Sequence, residues 1–216
     1  MKLVLYYAPI SCALVPYVTL TEAGAQFEVM PLNLRRSQQM APDYLKINPM
    51  HKVPVLMIDG EPLTENVAIQ VWIARNFPAA KLLPSDPMQE LKAISLLAWI
   101  ASSIHPLLAR IGSPSRCCDL PGTEESVRRL AQQQLFENYE IANQKLAGRR
   151  FFFNQFTAVD AHFFWCFRRG LLFNLDLSQF ANCMAHFERM KEQLSVQKVL
   201  AYETDVQNEF AKAAQA

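Results

Sequence analysis

One cysteine near the amino terminus, Cys12, occupies a position where a reactive thiol is common. It follows the apolar run 2–7 and comes directly after Ser11, a residue type that caps helices. In the first turn of a helix, free backbone N–H groups and the helix dipole stabilise a thiolate and lower the pKa of the thiol. The alternative is a buried, unreactive thiol, which describes most free cysteines. We predict a reactive Cys12 whose pKa lies below the value of about 8.5 for a free cysteine.

The dipeptide Val53-Pro54 precedes an apolar run that we predict to be a strand. The trans form is the default, since only about 5–6% of X-Pro bonds in folded proteins are cis. A cis bond here would turn the backbone N–H and C=O of Val53 outward, where an extended peptide could pair with them. We predict that this bond is cis and that Val53 binds a peptide-like ligand.

The segment Thr64-Glu65-Asn66 opens a predicted helix directly after a predicted strand. The N-terminus of a helix is a favourable site for a carboxylate, and the Glu65 side chain beside it can bind an ammonium group. Together these groups fit the amino-acid end of a peptide. Helix capping by the same polar side chains is the alternative.

The chain has five cysteines, and no two of them form a C-x-x-C pair. The odd number argues against a disulfide framework and against a structural zinc site, so we expect reduced thiols, a cytoplasmic location and no metal. One histidine, His105, lies in a predicted long helix directly before Pro106. A lone helical histidine is more often structural than catalytic.

The elements that position these residues fall into two groups. The first follows the order β-α-β-α-β-β-α and ends near Phe77, with Asp59-Gly60 as a strong hairpin signal. We predict strands over 2–7, 27–33, 53–58 and 61–64, and helices over 11–23, before Leu45 and over 65–74. The second group is helical throughout: 88–111, from Thr123 onward, 157–170, 178–193 and 195–203, with the last dozen residues a frayed helix or tail. Three prolines between 78 and 87 mark the boundary, so we predict domains 1–78 and 88–216 joined by a linker over 79–87.

Composition excludes several classes of function. Hydrophobic residues make up 51% of the 216 residues and charged residues 19%, which is too apolar for a disordered chain. The formal net charge of +1 does not indicate a nucleic-acid partner. No run of about 18 apolar residues is free of charge and proline, so we predict no membrane span.

Taken in order, several motifs make the chain resemble the cytosolic glutathione transferases over nearly its whole length. These are Tyr7-Ala8-Pro9-Ile10-Ser11-Cys12, Ile47-Asn48-Pro49, Lys52-Val53-Pro54-Val55-Leu56, Leu63-Thr64-Glu65-Asn66-Val67-Ala68-Ile69 and Phe156-Thr157-Ala158-Val159-Asp160-Ala161. Each motif is weak, but their ordered set is specific. The cysteine after Pro-x-Ser looks like the bacterial beta class. The resemblance implies a thioredoxin-like α/β domain with a mixed sheet and a cis proline, followed by an all-α helical bundle.

The resemblance also implies what the site does. It implies a transferase that adds the glutathione thiolate to a small apolar electrophile, or glutathione-dependent thiol–disulfide chemistry at Cys12, in a protein that is typically a homodimer. Cys12, His105, Ser11 and Tyr7 would lie at the sulfur. Glutathione would be bound by Lys52, Val53, Pro54, Glu65, Asn66 and Arg36, and the electrophile by Leu107, Leu108, Ile111 and Phe164.

The chain departs from the family pattern at four places. Asn66 replaces the usual serine or glycine, and His51-Lys52 replaces a pair such as Gly-Gln. Ala98 stands where an asparagine is expected, and Phe153 where a glycine is expected. A non-catalytic binding or regulatory protein of the same fold is therefore an alternative, as is a glutathione-dependent dehalogenase or isomerase.

Overall fold

A four-stranded mixed sheet forms the amino-terminal part of the computed structural model, which describes residues 1–215. The strands are β1 Leu3–Tyr7, β2 Glu28–Pro31, β3 Val55–Ile58 and β4 Glu61–Thr64. They lie in the order β2-β1-β3-β4, with β2 parallel to β1 and both β3 and β4 antiparallel to their neighbours. Asp59 and Gly60 have φ values of 49° and 96°, the positive values that a two-residue hairpin turn requires. The predicted mixed sheet is confirmed.

Three helices complete this α/β arrangement: α1 Leu14–Glu22, α2 Pro42–Ile47 and α3 Asn66–Asn76. The prediction that Ser11 caps α1 is wrong, because residues 11–13 form a turn and Ala13 is the N-cap. The turn is closed by the Leu14 N–H, which donates to the Ser11 carbonyl at 3.2 Å. Starting at Leu14 also puts Pro16 in the first turn of α1, where its missing N–H removes no helical hydrogen bond.

The remaining helices are α4 Pro87–Trp99, α5 His105–Gly112, α6 Glu124–Lys145, α7 Ala158–Leu172, α8 Ala181–Lys191 and α9 Leu194–Gln215. A π-helical segment, Ile100–Ile104, joins α4 to α5, so the predicted long helix is continuous but widened. Pro106 gives the physical reason, since it cannot donate to the preceding turn and its ring crowds that turn. The α7 helix begins with the capping box of Thr157 and Asp160.

The described chain packs as two compact units. One contains Met1–Leu83 together with the residues from Lys191 on, and the other contains Pro84–Met190. The predicted boundary within 79–87 stays a prediction, but α9 belongs by its packing to the amino-terminal unit and is longer than the predicted helix over 195–203. Its Tyr202 ring lies 5.4 Å from the Tyr17 ring on α1. The sequence pattern did not predict that α9 packs against the amino-terminal unit, because that packing depends on contacts between residues nearly a whole chain apart.

One helical stretch, Pro87–Gly112, has the length and composition of a membrane span. Within its most apolar window, 33% of the residues are buried. A single stretch of this kind is weak evidence, since core helices of soluble proteins have the same length and composition.

Candidate active site

Cys12, Val53 and Asn66 meet in the amino-terminal unit, at the end of β1 and the start of α3. The Cys12 Sγ lies 3.5 Å from the Val53 carbonyl oxygen, and the Asn66 Nδ2 donates to the Cys12 carbonyl at 3.1 Å. The Val53-Pro54 bond is cis, as predicted. Three segments that are far apart in sequence thus come together around one thiol.

The Cys12 thiol is buried, with 9% of the residue exposed. Burial raises its pKa to about 12, because the low-dielectric surroundings disfavour the thiolate. The backbone N–H of Cys12 itself lowers the pKa, the Glu65 charge raises it, and Lys52 and the Asn66 amide lower it by smaller amounts. The prediction of a depressed pKa is therefore wrong. Cys12 precedes the N-cap instead of occupying the first turn, and desolvation outweighs the donors around it.

The backbone before Val53 is fixed by two side chains. The Tyr44 hydroxyl donates to the Lys52 carbonyl at 2.5 Å, and the Asn48 Nδ2 donates to the same oxygen at 2.9 Å. His51 has a φ of 48°, a left-handed conformation that glycine adopts without a steric penalty. The chain therefore keeps this turn although it lacks the glycine that is expected there.

Glu65 and Asn66 stand at the start of α3 with different exposures. Glu65 is exposed and has a φ of 67°, which is unusual for a residue with a side chain and typical of constrained functional sites. Asn66 is 7% exposed, and its Oδ1 has no hydrogen-bond partner among residues 1–215. A buried acceptor without a donor is costly unless a ligand supplies one.

The hydroxyl groups of Ser11 and Tyr7 are directed to other partners. The Ser11 hydroxyl donates to the Ala8 carbonyl at 2.7 Å. Tyr7 is fully buried, and its hydroxyl donates to the Glu203 carboxylate at 3.1 Å. Each hydroxyl has one proton, and both protons are used within the protein. A role for either residue at the glutathione sulfur stays a prediction, with these bonds as the competing arrangement.

Glu203, on α9, is a residue that the sequence analysis missed. It is 3% exposed and accepts a hydrogen bond from the Ile10 N–H at 2.5 Å in addition to the one from Tyr7. Ile10 has a φ of 66°, a strained value for a β-branched residue, and it lies two positions before Cys12. The signal was a charge at position 203 on the apolar stripe formed by Val196, Val199 and Val206, all of which are buried.

Two other predicted residues, Arg36 and His105, make contacts of their own. Arg36 is exposed and its Nη2 donates to the Ala213 carbonyl on α9 at 2.6 Å. His105, in the helical unit, packs edge-on against Trp165 with a centroid distance of 4.5 Å. Its approach to Cys12 stays a prediction.

The four apolar candidates belong to the core of the helical unit. Leu107, Leu108, Ile111 and Phe164 are between 0% and 7% exposed. The Phe164 ring stacks on Phe187 at 5.2 Å. These contacts fit a core role, and contact with an electrophile stays a prediction.

Known proteins resemble this chain in the same region that forms the site, and in part over nearly its whole length. Residues 1–75 match the family model described as the glutathione S-transferase N-terminal domain. The chain is 30% identical over 203 residues to glutathione S-transferase GstA of Escherichia coli O157:H7, a match that covers 92% of this chain and 98% of that protein. It is 34% identical over 109 residues to maleylacetoacetate isomerase of Mus musculus, covering 49% of this chain and 50% of the isomerase.

A solved structure agrees over almost the full length. It is the glutathione S-transferase of a sphingomonad in complex with glutathione, with a TM-score of 0.82 at 27% identity, covering 93% of this chain and 98% of that one. Three observations indicate the same family. They are the thioredoxin-like sheet, the cis proline and the match to GstA, which covers nearly all of that protein. This chain belongs to the glutathione S-transferase family.

Proposed function

We propose that this protein is a glutathione transferase that joins the glutathione thiolate to small apolar electrophiles. The observation that carries the proposal is the group of Cys12, Val53 and Asn66, where a buried thiol lies beside the backbone that precedes β3 and the N-terminus of α3. The bound glutathione of the sphingomonad relative supports glutathione as the co-substrate. The electrophile is a proposal from family resemblance.

Each part of glutathione has a matching group in the amino-terminal unit. The Val53 backbone, before Pro54, pairs with the cysteinyl part. The exposed Glu65 carboxylate binds the ammonium of the γ-glutamyl group. The Asn66 Oδ1 accepts a hydrogen bond from one N–H of that ammonium. The first N–H groups of α3 bind the carboxylate of the same group. Lys52 and Arg36 are the candidate cations for the other carboxylate.

The chemistry belongs to the sulfur of glutathione, and Cys12 assists as a neutral thiol. With a pKa of about 12, Cys12 keeps its proton at neutral pH. In the structure the thiol donates that proton to the Val53 carbonyl at 3.5 Å, and bound glutathione would have to take over this hydrogen bond. Such a bond stabilises the glutathione thiolate before it attacks an electrophilic carbon. For an aryl halide, the new C–S bond forms with the electron pair of the sulfur, and the halide leaves with the pair of the C–X bond. His105, if it reaches the sulfur, provides a second donor.

Thiol–disulfide chemistry at Cys12 has less support. The attacking species in that reaction is a thiolate, and a pKa of about 12 leaves little of it near neutral pH.

The half-length similarity to maleylacetoacetate isomerase makes glutathione-dependent isomerisation a second candidate, since it uses the same glutathione site. A cytoplasmic homodimer completes the proposal.

Two measurements on the same variants test the proposal. One is calorimetric titration with glutathione, and the other is conjugation of a generic aryl halide. Asn66→Ala should weaken glutathione binding by roughly tenfold, because a hydrogen bond to a charged group is worth about 1.5–3 kcal/mol. The matched control is Asn76→Ala, which changes an exposed asparagine at the other end of the same helix.

The outcomes separate the alternatives. Binding with turnover supports a transferase, and binding without turnover of any electrophile supports a non-catalytic binding protein. Turnover of a cis–trans isomerisation substrate, without a stable conjugate, supports the isomerase. Absence of glutathione binding contradicts all three.

A further inference from the structure

Two carboxamide side chains lie buried on the same face of α3. Asn66, at the first position of the helix, is 7% exposed, and Gln70 is fully buried. Residues four apart on a helix are neighbours, with Cβ atoms about 5–6 Å apart. The other buried residues of α3 are Ile69 and Ile73, so the rest of this face is apolar. A glutamine at such a position needs a physical reason, because an apolar side chain would fill the space without burying polar atoms.

Three polar atoms of this pair have no hydrogen-bond partner among residues 1–215. They are the Asn66 Oδ1 and both the Nε2 and the Oε1 of Gln70. The Asn66 Nδ2 donates to the Cys12 carbonyl at 3.1 Å, which fixes how that carboxamide is turned. Buried polar groups in folded proteins almost always have a partner, because leaving one unpaired costs stability. The three atoms are therefore suited to a hydrogen-bonding group from outside the chain.

One water molecule has the hydrogen-bonding groups that these three atoms require. It can accept from the Gln70 Nε2, donate one proton to the Gln70 Oε1 and donate the other to the Asn66 Oδ1. Buried water typically makes about three hydrogen bonds to polar groups that lack a protein partner. The Asn66 Oδ1 has two lone pairs, so it can accept from this water and from a ligand at the same time.

We propose that Gln70 is a positioning residue for glutathione, which acts on Asn66 through one buried water. The inference rests on the proposed function, because it deepens the role of Asn66 at the ammonium of the γ-glutamyl group. The Cys12 carbonyl holds the nitrogen of the Asn66 carboxamide, and the water on Gln70 holds its oxygen. The Asn66 Oδ1 is thus oriented before glutathione binds, and binding costs less conformational entropy.

Glutathione binding by Gln70→Leu tests this role. Leucine is similar in size and has no polar atoms, so it fills the core without holding a water. We expect the Kd from calorimetric titration to rise about fivefold, the factor of one net hydrogen bond. In aryl halide conjugation, KM for glutathione should rise by the same factor while kcat stays within about twofold, because Gln70 touches no reacting atom. Asn76→Leu, which changes an exposed carboxamide on the same helix, is the matched control and should bind as the wild type does.

A double-mutant cycle with Asn66 shows whether Gln70 acts through it. If it does, Gln70→Leu should change the Kd by less than about twofold once Asn66→Ala is present. Two independent effects would instead multiply. Gln70→Met takes the place of Gln70→Leu in both backgrounds if urea unfolding shows that the leucine variant does not fold.

The outcomes distinguish this inference from the proposed function. If the wild type does not bind glutathione, the proposed function fails and the inference fails with it. If the wild type binds glutathione and Gln70→Leu binds it equally well, the inference alone is overturned. An equal loss of affinity in the wild-type and Asn66→Ala backgrounds also overturns it, because Gln70 would then act without Asn66. A loss in the wild-type background alone supports it.

Discussion

At the scale of single residues, burial of the Cys12 thiol decides which chemistry it can perform. Burial removes water from the sulfur, and the pKa rises from the ordinary value of 9.0 to about 12. Each pKa unit changes the thiolate fraction tenfold, so this rise lowers the thiolate fraction at neutral pH roughly a thousandfold. Cys12 is thereby suited to donate a proton in a hydrogen bond and poorly suited to attack a disulfide.

The raised pKa predicts a loss of stability in alkaline solution. The folded state favours the neutral thiol, so its contribution is complete below the unfolded-state pKa of 9.0 and is lost as pH rises through about 12. Between about pH 8 and about pH 10.5, the wild type should lose roughly 2 kcal/mol more unfolding free energy than Cys12→Ala. Urea unfolding at both pH values measures this. Equal losses would mean that the folded thiol titrates normally.

Two substitutions at Cys12 distinguish a hydrogen-bond donor from a nucleophile. Cys12→Ser keeps an O–H donor and should conjugate an aryl halide within about threefold of wild type. Cys12→Ala removes the donor and should lose about tenfold or more, since hydrogen bonds to charged groups are worth about 1.5–3 kcal/mol. Steady-state kinetics at saturating glutathione gives both values. Equal activity of the two variants would exclude Cys12 as a donor to the thiolate.

At the scale of elements, the last helix supports the loop that carries Cys12. The Glu203 carboxylate on α9 accepts from the Ile10 N–H and the Tyr7 hydroxyl, two buried or half-buried donors. Ile10 has the strained φ of 66°, so the loop needs a partner that holds this conformation. A helix beginning at Leu194 thus fixes the backbone two residues before the thiol.

Removing this carboxylate should affect both stability and the site. Glu203→Ala removes the acceptor of the Ile10 N–H and Tyr7 hydroxyl bonds, which should cost about 2–5 kcal/mol of unfolding free energy. Glu203→Gln keeps an acceptor oxygen and should cost less. Asp205→Ala changes an exposed acid on the same helix and should cost less than about 0.5 kcal/mol. Urea unfolding with and without glutathione measures all three, and a Glu203→Ala protein as stable as the control would contradict this role.

At the scale of the whole molecule, the helical unit leaves large apolar side chains in solvent. Met88 and Leu91 on α4 are each 59% exposed, and Leu130 and Ile141 on α6 are 53% and 45% exposed. Two helices with exposed apolar residues favour association with another chain. We propose a homodimer in which the amino-terminal domain of one subunit faces the helical domain of the other.

The dimer proposal gives a prediction for light scattering. At micromolar concentration, the mass should be about twice the chain mass of 24.6 kDa. Leu91→Glu should shift the protein toward the single-chain mass, because burying an unpaired charge is costly. Leu194→Glu is the matched control, since Leu194 is 73% exposed at the start of α9. A wild-type mass near one chain would contradict the dimer.

The order of elements was predictable because its signals are local. The Asp59-Gly60 pair encodes a turn by its own conformational freedom, and the short, mostly apolar run 2–7 predicts a buried strand by its length and composition. The cis Val53-Pro54 bond and the group of Cys12, Val53 and Asn66 were predictable from ordered motifs. The family followed from these motifs, since their combination is more specific than any one of them.

Tertiary structure alone decided the electrostatics and the supports of the site. The pKa of Cys12 depends on how completely distant segments exclude water from its sulfur, and no neighbour in sequence reveals that. The Tyr7 hydroxyl donates to the Glu203 carboxylate, a partner that only the packing of α9 supplies, and its role at the ligand sulfur stays a prediction. The sequence by itself determined the fold, the motifs and the family, which rest on local pattern. Packing determined the state of the thiol and the return of α9, because both arise from contacts between residues that are far apart along the chain.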